Sequence, residues 1–337
     1  MNVEEIIDEF RYFGGVFENL QFEFSENFGT RLVVIDPSKK FKIFIPENLL
    51  YDIDMIELNE QNQIIINNKY PCSVRKRKFF ENYQQYLGWG NSGYENTLNT
   101  QSELQKLPNE LMECLLIFGL RNDFKKDLSP QFCLQKYFLN RKISHNGKSK
   151  IMPIMELLNH SDHGHPFLID AGVTCSGYSD TEAYARYHYM IDGFDFFQIY
   201  NFAIKPKVAL SCDVSLAIPT FGKISINRTK LNTPVTNSLL KKRFIKDRET
   251  KFYDIELANT LDPHMPLNKF EELCQKHDIN KEISQSIFKG LLKHNIITLN
   301  HCLELTANKN SNLIFEIDSI FRNQLKIIQD QYKFYNF

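Results

Sequence analysis

The sequence lacks any apolar run approaching the roughly 18 residues that a membrane span requires, so no integral membrane segment is expected. It lacks a Cys-x-x-Cys pair. Its seven cysteines, at 72, 114, 133, 175, 212, 274 and 302, are scattered and odd in number. That usage argues against a disulfide frame or a zinc knuckle and reads as reduced, intracellular thiols. Net charge is nearly absent, with 40 Lys and Arg against 41 Asp and Glu, −1 in all. A chain so balanced is not expected to bind nucleic acid or membrane surfaces in a general way. The start, Met1 to Phe10, is acidic and amphipathic, without the basic flank and apolar core of a signal peptide. Repeats and low-complexity linkers are missing too. A soluble cytoplasmic protein is the expectation.

What the chain has in quantity is large flat side chains, 28 Phe and 15 Tyr within a hydrophobic share of 42%. That suffices for an ordinary packed core, and 337 residues allow a large domain with an appendage or two to three smaller units. Asn2 followed by Glu5 makes a capping box, with Val3, Ile6, Ile7 and Phe10 on one face of a short helix. Gly14-Gly15 between aromatic residues suggests a sharp bend, or backbone that approaches a ligand closely. Leu32–Ile35 and Phe41–Ile45 read as short strands around the turn Asp36-Pro37-Ser38-Lys39-Lys40. Between 51 and 145 the chain becomes mostly helical, with starts at Pro108 and Ser129-Pro130. The basic run Arg75-Lys76-Arg77-Lys78 reads as a solvated face. Strands return at Tyr184–Ile191, Phe194–Asn201, Val208–Ile218 and Lys223–Asn227. From about 235 the period turns helical. Ile283, Ile287, Leu291 and His294 share one face, as do Ile317, Phe321, Leu325, Ile328 and Tyr332. The fold class is therefore α+β, a body of small sheets with a helical tail.

The most informative stretch is 151–167. It is apolar as far as Leu158 and then delivers Asn159, His160, Ser161, Asp162, His163 and His165 within seven positions. Oriented donors at the end of a buried segment suit a ligand, since backbone in such a place must itself be satisfied. The same residues admit a metal reading, in which His160, His163 and His165 with Asp162 hold zinc in a metal-dependent hydrolase. Residues two apart in an extended turn point to opposite sides, which weighs against convergence.

The pattern Pro153-x-x-Glu156-x-x-Asn159-His160-Ser161 resembles the Pro-x-x-Asp-x-x-Asn-His-Ser segment of SET-domain protein methyltransferases. It is most similar to the split-SET branch typified by the Rubisco large-subunit lysine methyltransferase. Glu156 stands where Asp is usual. Gly14-Gly15-Val16-Phe17, Phe44-Ile45-Pro46, Asn140-Arg141 and Phe197-Gln198-Ile199-Tyr200-Asn201 fall in the order of that family's other landmarks. Its second Tyr-Gly-Phe is not matched at 210–216, where no residue is aromatic.

The resemblance implies a SET-like fold divided into an N-terminal half (1–50), a helical insert (51–145), a C-terminal half (146–230) and an all-helical substrate domain (231–337). It implies S-adenosylmethionine as cofactor, held by Gly14, Gly15, Val16, Asn159 and His160, with Arg141 on the cofactor carboxylate or in an ion pair. Tyr200 would position the acceptor nitrogen, and Tyr184, Tyr187 and Tyr189 are candidates for a second tyrosine in the amine pocket. The implied reaction is in-line methyl transfer to a protein lysine, with histidine as the other acceptor known among relatives and no metal required. The competing reading is a SET-like scaffold that binds without turnover and grips a partner protein through its tail and the basic residues Lys241, Lys242, Arg243, Lys246 and Arg248.

Overall fold

The computed structural model describes residues 2–25, 29–120, 128–188, 190–218, 222–229, 249–307, 309 and 311–337. The basic stretch 241–248 and Tyr189 lie outside the described residues. The protein is α+β, and it divides into two compact units: Met1–Ser102 with Asp127–His188, and Glu103–Lys126 with Tyr189–Phe337.

The first unit opens as the local sequence dictates. Asn2 and Glu5 close a reciprocal capping box on the helix Val3–Tyr12, which buries Ile6, Ile7 and Phe10. The bend that follows needs both glycines. Gly14 has φ +89°, and a Cβ on Gly15 would lie 2.6 Å from three atoms of the Phe10 ring. Phe10 is fully buried and cannot yield. Gly15→Ala should therefore cost about 1–3 kcal/mol, read as a lower midpoint in denaturant with unchanged slope. An unchanged midpoint would mean that the ring has room to move.

A four-stranded antiparallel sheet runs in the order Val16–Glu18, Phe41–Pro46, Gly172–Gly177, Leu168–Ile169. It joins strands from both sides of the mostly helical middle of the chain. Alternate residues Phe41, Ile43 and Ile45 are fully buried in it. Hairpin Leu20–Ser25/Gly29–Val34 and smaller ladders at 51–66 and 142–151 complete the strands that precede the Asn-His segment. Helices Val74–Tyr86 and Pro130–Leu139 bring Phe79, Phe80, Tyr83, Tyr137 and Phe138 into the same core. Of the run 75–78, Arg75 stacks 3.2 Å above Tyr12 and pairs with Glu9 at 2.7 Å.

The second unit has its own core, in which Phe118, Phe194 and Phe321 meet and the stacked pair Phe118–Phe194 lies 4.3 Å apart. Two sheets, Val208–Leu210 with Glu256–Asn259 and Val214–Ile218 with Gly222–Asn227 and Glu249–Tyr253, pack with long helices Lys281–Thr306 and Asn312–Phe334. The faces read from periodicity are buried at Ile287, Leu291, Ile317, Phe321, Leu325 and Ile328, while His294 is exposed. The helical tail begins later than its sequence suggests. Strands occupy 249–259, and the first helix after them is Met265–Gln275. A second correction is larger: Gly193–Tyr200 is a helix, not a strand. Asp192 caps it by accepting from the Phe194 amide at 2.8 Å, and Phe194, Phe196 and Phe197 are buried.

Candidate functional site

The Asn-His segment enters through a strained turn. Ile154 has φ +71° and ψ −50°, and the Met155 amide donates to Pro153 O at 2.9 Å, which is a γ-turn of the rare hand. A β-branched residue tolerates that conformation only where its surroundings over-determine it. Here they do. Residues 151 to 158 are all buried, and the next residue, Asn159, begins a strand that pairs in parallel with Tyr184–Arg186, Asn159 opposite Tyr184 and His160 opposite Ala185.

That register brings a second tyrosine to the motif. The Tyr187 amide donates to His160 Nδ1 at 3.2 Å, so the neutral imidazole carries its proton on Nε2, which faces Asp162 Oδ1 at 3.6 Å. The Tyr187 ring tilts against His160 with centroids 5.2 Å apart, and its hydroxyl donates to Leu158 O. Burial holds His160 below its ordinary pKa against the pull of Asp162, and burial likewise pushes the Tyr187 phenol up. Tyr187 is thus a neutral hydrogen-bonding group.

Asn159 is held by Glu182. Its Nδ2 donates to Glu182 Oε1 at 2.5 Å, while the other carboxylate oxygen lies 3.6 Å from Arg31 and accepts from Tyr184 at 3.3 Å. Glu182 is fixed in turn by backbone. Ala183 N donates to Leu32 O and Val34 N to Thr181 O, stitching residues 181–183 to the strand Gly29–Val34. Glu182 and Arg31 were not singled out by sequence. Their partnership spans the whole unit, and no local pattern announces it.

On the other side of the turn, Glu156 is buried against the helices. Its Oε1 accepts from Tyr83 at 2.8 Å and from Gln84 at 3.0 Å, and Gln84 also receives Tyr137 at 3.2 Å. Glu156 Oε2 is buried without a hydrogen-bond partner, and so is Arg141 Nε. Arg141 stacks 4.0 Å over Tyr137 and donates to Asn140 Oδ1 at 2.6 Å. A buried carboxylate oxygen and a buried guanidinium nitrogen, each unsatisfied, mark a place that a polar ligand would complete.

Burial raises Glu156 from 4.5 to about 7, with Arg141 and the two hydrogen bonds opposing the shift. The folded state therefore holds this proton more tightly than the unfolded chain. The stability from that proton is fully present below about pH 4.5 and is lost as pH rises through about 7. The loss is roughly 3 kcal/mol at 1.36 kcal/mol per unit. Glu156→Gln keeps the oxygen that accepts from Tyr83 and Gln84 and cannot ionise, so it should flatten this dependence. Unfolding at pH 5 and pH 8 checks it, and parallel pH profiles for the two proteins would refute the assignment.

The sequence-derived site residues distribute as follows. Gly14, Gly15, Val16, Arg141, Asn159 and His160 all lie in the first unit, whereas Tyr200 ends a helix of the second, its ring 4.5 Å from Phe196. The Gly14-Gly15 bend has a packing reason of its own in Phe10. The metal reading gains no support from the geometry. His165 Nε2 meets Tyr178 O at 2.9 Å and its ring stands edge-on to Phe41, while His160 turns to Tyr187. Among the described residues no three His, Cys, Asp or Glu side chains converge as metal ligands. No described helix is long and apolar enough to cross a membrane, and all seven cysteines are free thiols.

No model of a protein family matches the chain, and no curated protein matches it. Solved structures similar to it include Rubisco LSMT bound to AdoMet, at 12% identity over 99% of this chain and 91% of that one, TM-score 0.46. The SET domain of LSMT bound to methyl-lysine and AdoHcy is similar at 14% identity over 99% and 91%, TM-score 0.47. The same domain with lysine and AdoHcy is similar at 12% identity over 99% and 90%, TM-score 0.41.

Proposed function

We propose that the first unit carries an S-adenosylmethionine site of SET type and that the protein is a methyltransferase acting on a protein side chain, lysine before histidine. The observation that carries this reading is the pairing of Asn159-His160 with the strand Tyr184–Arg186, just after which the Tyr187 amide donates to His160 and joins the Asn-His-Ser motif to a half-buried, neutral tyrosine. The unsatisfied Arg141 Nε and Glu156 Oε2 fit a ligand with a zwitterionic amino-acid end. When bound, S-adenosylmethionine supplies a methyl group on a positively charged sulfur. The chain's part is to align the partners and exclude water. Asn159 and Arg141 hold the amino-acid end, His160 fixes the turn through Tyr187, and the backbone at Gly14, Gly15 and Val16 borders the cofactor.

We assign the acceptor-positioning role to Tyr187 in place of Tyr200. Its hydroxyl, having donated to Leu158 O, can accept a hydrogen bond from the amine. With Tyr187 in that role, the family's second aromatic motif falls on Tyr200-Asn201-Phe202, where Asn201 takes the left-handed φ of +62° that suits glycine. Methyl-labelled S-adenosylmethionine and hypomethylated cell extract, followed by acid hydrolysis, test the reaction. Labelled methyl-lysine above the level of extract alone is expected. Methylhistidine would move the acceptor assignment, and no added label would remove turnover.

A further inference from the structure

The Asn159 amide can face a ligand in either of two ways, and the structure contains a device that selects one. Glu182 is 7% exposed and takes the Asn159 Nδ2 hydrogen at 2.5 Å, which leaves Oδ1 as the free end of that amide. A carboxylate only accepts, so this orientation does not reverse. Glu182 is itself fixed by three contacts. Arg31 lies 3.6 Å from Oε2, Tyr184 donates to the same oxygen, and the antiparallel bridge to Val33 fixes its backbone. Arg31 is pinned on its far side by Glu23 at 2.6 Å. The result is a chain of charged and polar groups from the exposed hairpin inward to Asn159. Its last member presents Oδ1 as an acceptor, while the nitrogen, with its one remaining N–H, stays on the side that Glu182 holds.

Resting on the methyltransferase reading, we propose that Glu182 is a positioning residue: it locks the Asn159 amide so that the site selects a ligand end bearing N–H donors, the ammonium of the cofactor's amino acid. Glu182 does not touch the ligand. It acts through Asn159, and its loss frees the amide to turn its NH2 inward, where it opposes an ammonium. Discrimination between nucleosides with and without that amino-acid end therefore depends on Glu182, whereas recognition of the adenosine end does not.

Calorimetric titration with S-adenosylhomocysteine and with 5′-methylthioadenosine, which lacks the amino acid, tests this on the full chain. Glu182→Ala should weaken S-adenosylhomocysteine on the order of tenfold, the worth of one charge-assisted hydrogen bond, and leave methylthioadenosine unchanged. Glu182→Gln should restore most of the affinity, because its carbonyl oxygen still accepts from Asn159. In an Asn159→Ala background, Glu182→Ala should add nothing further. Equal weakening of both nucleosides, no weakening of either, or additive losses in the double variant would overturn the proposal while leaving the methyltransferase reading in place. If Glu182→Ala does not fold, the Glu182→Gln affinities and the double variant Asn159→Ala/Glu182→Gln decide in the same way. A wild-type protein that binds neither nucleoside overturns both.

Discussion

Tyr187→Phe should lower turnover on the order of 10²-fold while leaving affinity for S-adenosylmethionine nearly unchanged. A phenyl ring keeps the packing against His160 and Phe167 and removes only the hydroxyl. The loss then falls on kcat, because a group that orients the acceptor acts in the transition state and contributes little to cofactor binding. The backbone bond from Tyr187 N to His160 Nδ1 survives the change, so the Asn-His turn stays in place. Tyr200→Phe, which retains the ring that tilts against Phe196 and Phe202, should keep turnover within about fivefold, as expected for a residue that only packs. Reversal of the two results would return the acceptor role to Tyr200.

Arg228→Ala should destabilise the second unit by about 3–5 kcal/mol, the cost of stranding a buried carboxylate. The Arg228 side chain is 1% exposed and its Nη2 reaches Asp192 at 2.8 Å and Asp195 at 2.9 Å. Asp192 caps the helix Gly193–Tyr200, accepts from the Leu210 amide at 2.9 Å, and receives Gln324 from the last helix. Burial already raises Asp195 to about 6 against the pull of Arg228, and removing the cation raises it further. The stability from the Asp195 proton is present below the unfolded carboxylate range and lost as pH rises, so the deficit should shrink on moving from pH 8 toward pH 5. Denaturant unfolding at both pH values reads this directly. A deficit under 1 kcal/mol at pH 8 would show that water reaches the acids.

Features set by near neighbours could be read from sequence, and features set by distant ones could not. The Asn2–Glu5 capping box, the Ser129-Pro130 start and the buried faces of the last helices are local patterns, and each formed as expected. Phe194–Asn201 looked like a strand because aromatic and β-branched residues dominate it, yet burial of Phe194, Phe196 and Phe197 around an Asp cap makes it a helix. We propose the tyrosine motif one landmark upstream of that helix, at Tyr187. Asn159, His160 and Arg141, which we propose at the site, are residue types at recognisable spacing. Glu182 was not, since its meaning comes from Arg31 and Asn159 reaching it across the unit. The positive φ of Ile154 was equally hidden, because no residue type there signals it.

Calorimetric titration of the full chain with S-adenosylmethionine, beside Asn159→Ala, tests the central claim most directly. The account predicts saturable binding at one site, weakened at least tenfold by the substitution, since Asn159 would contact a charged group of the cofactor. Binding of equal strength in both proteins would contradict the site described here, and no binding in either would contradict the methyltransferase reading itself.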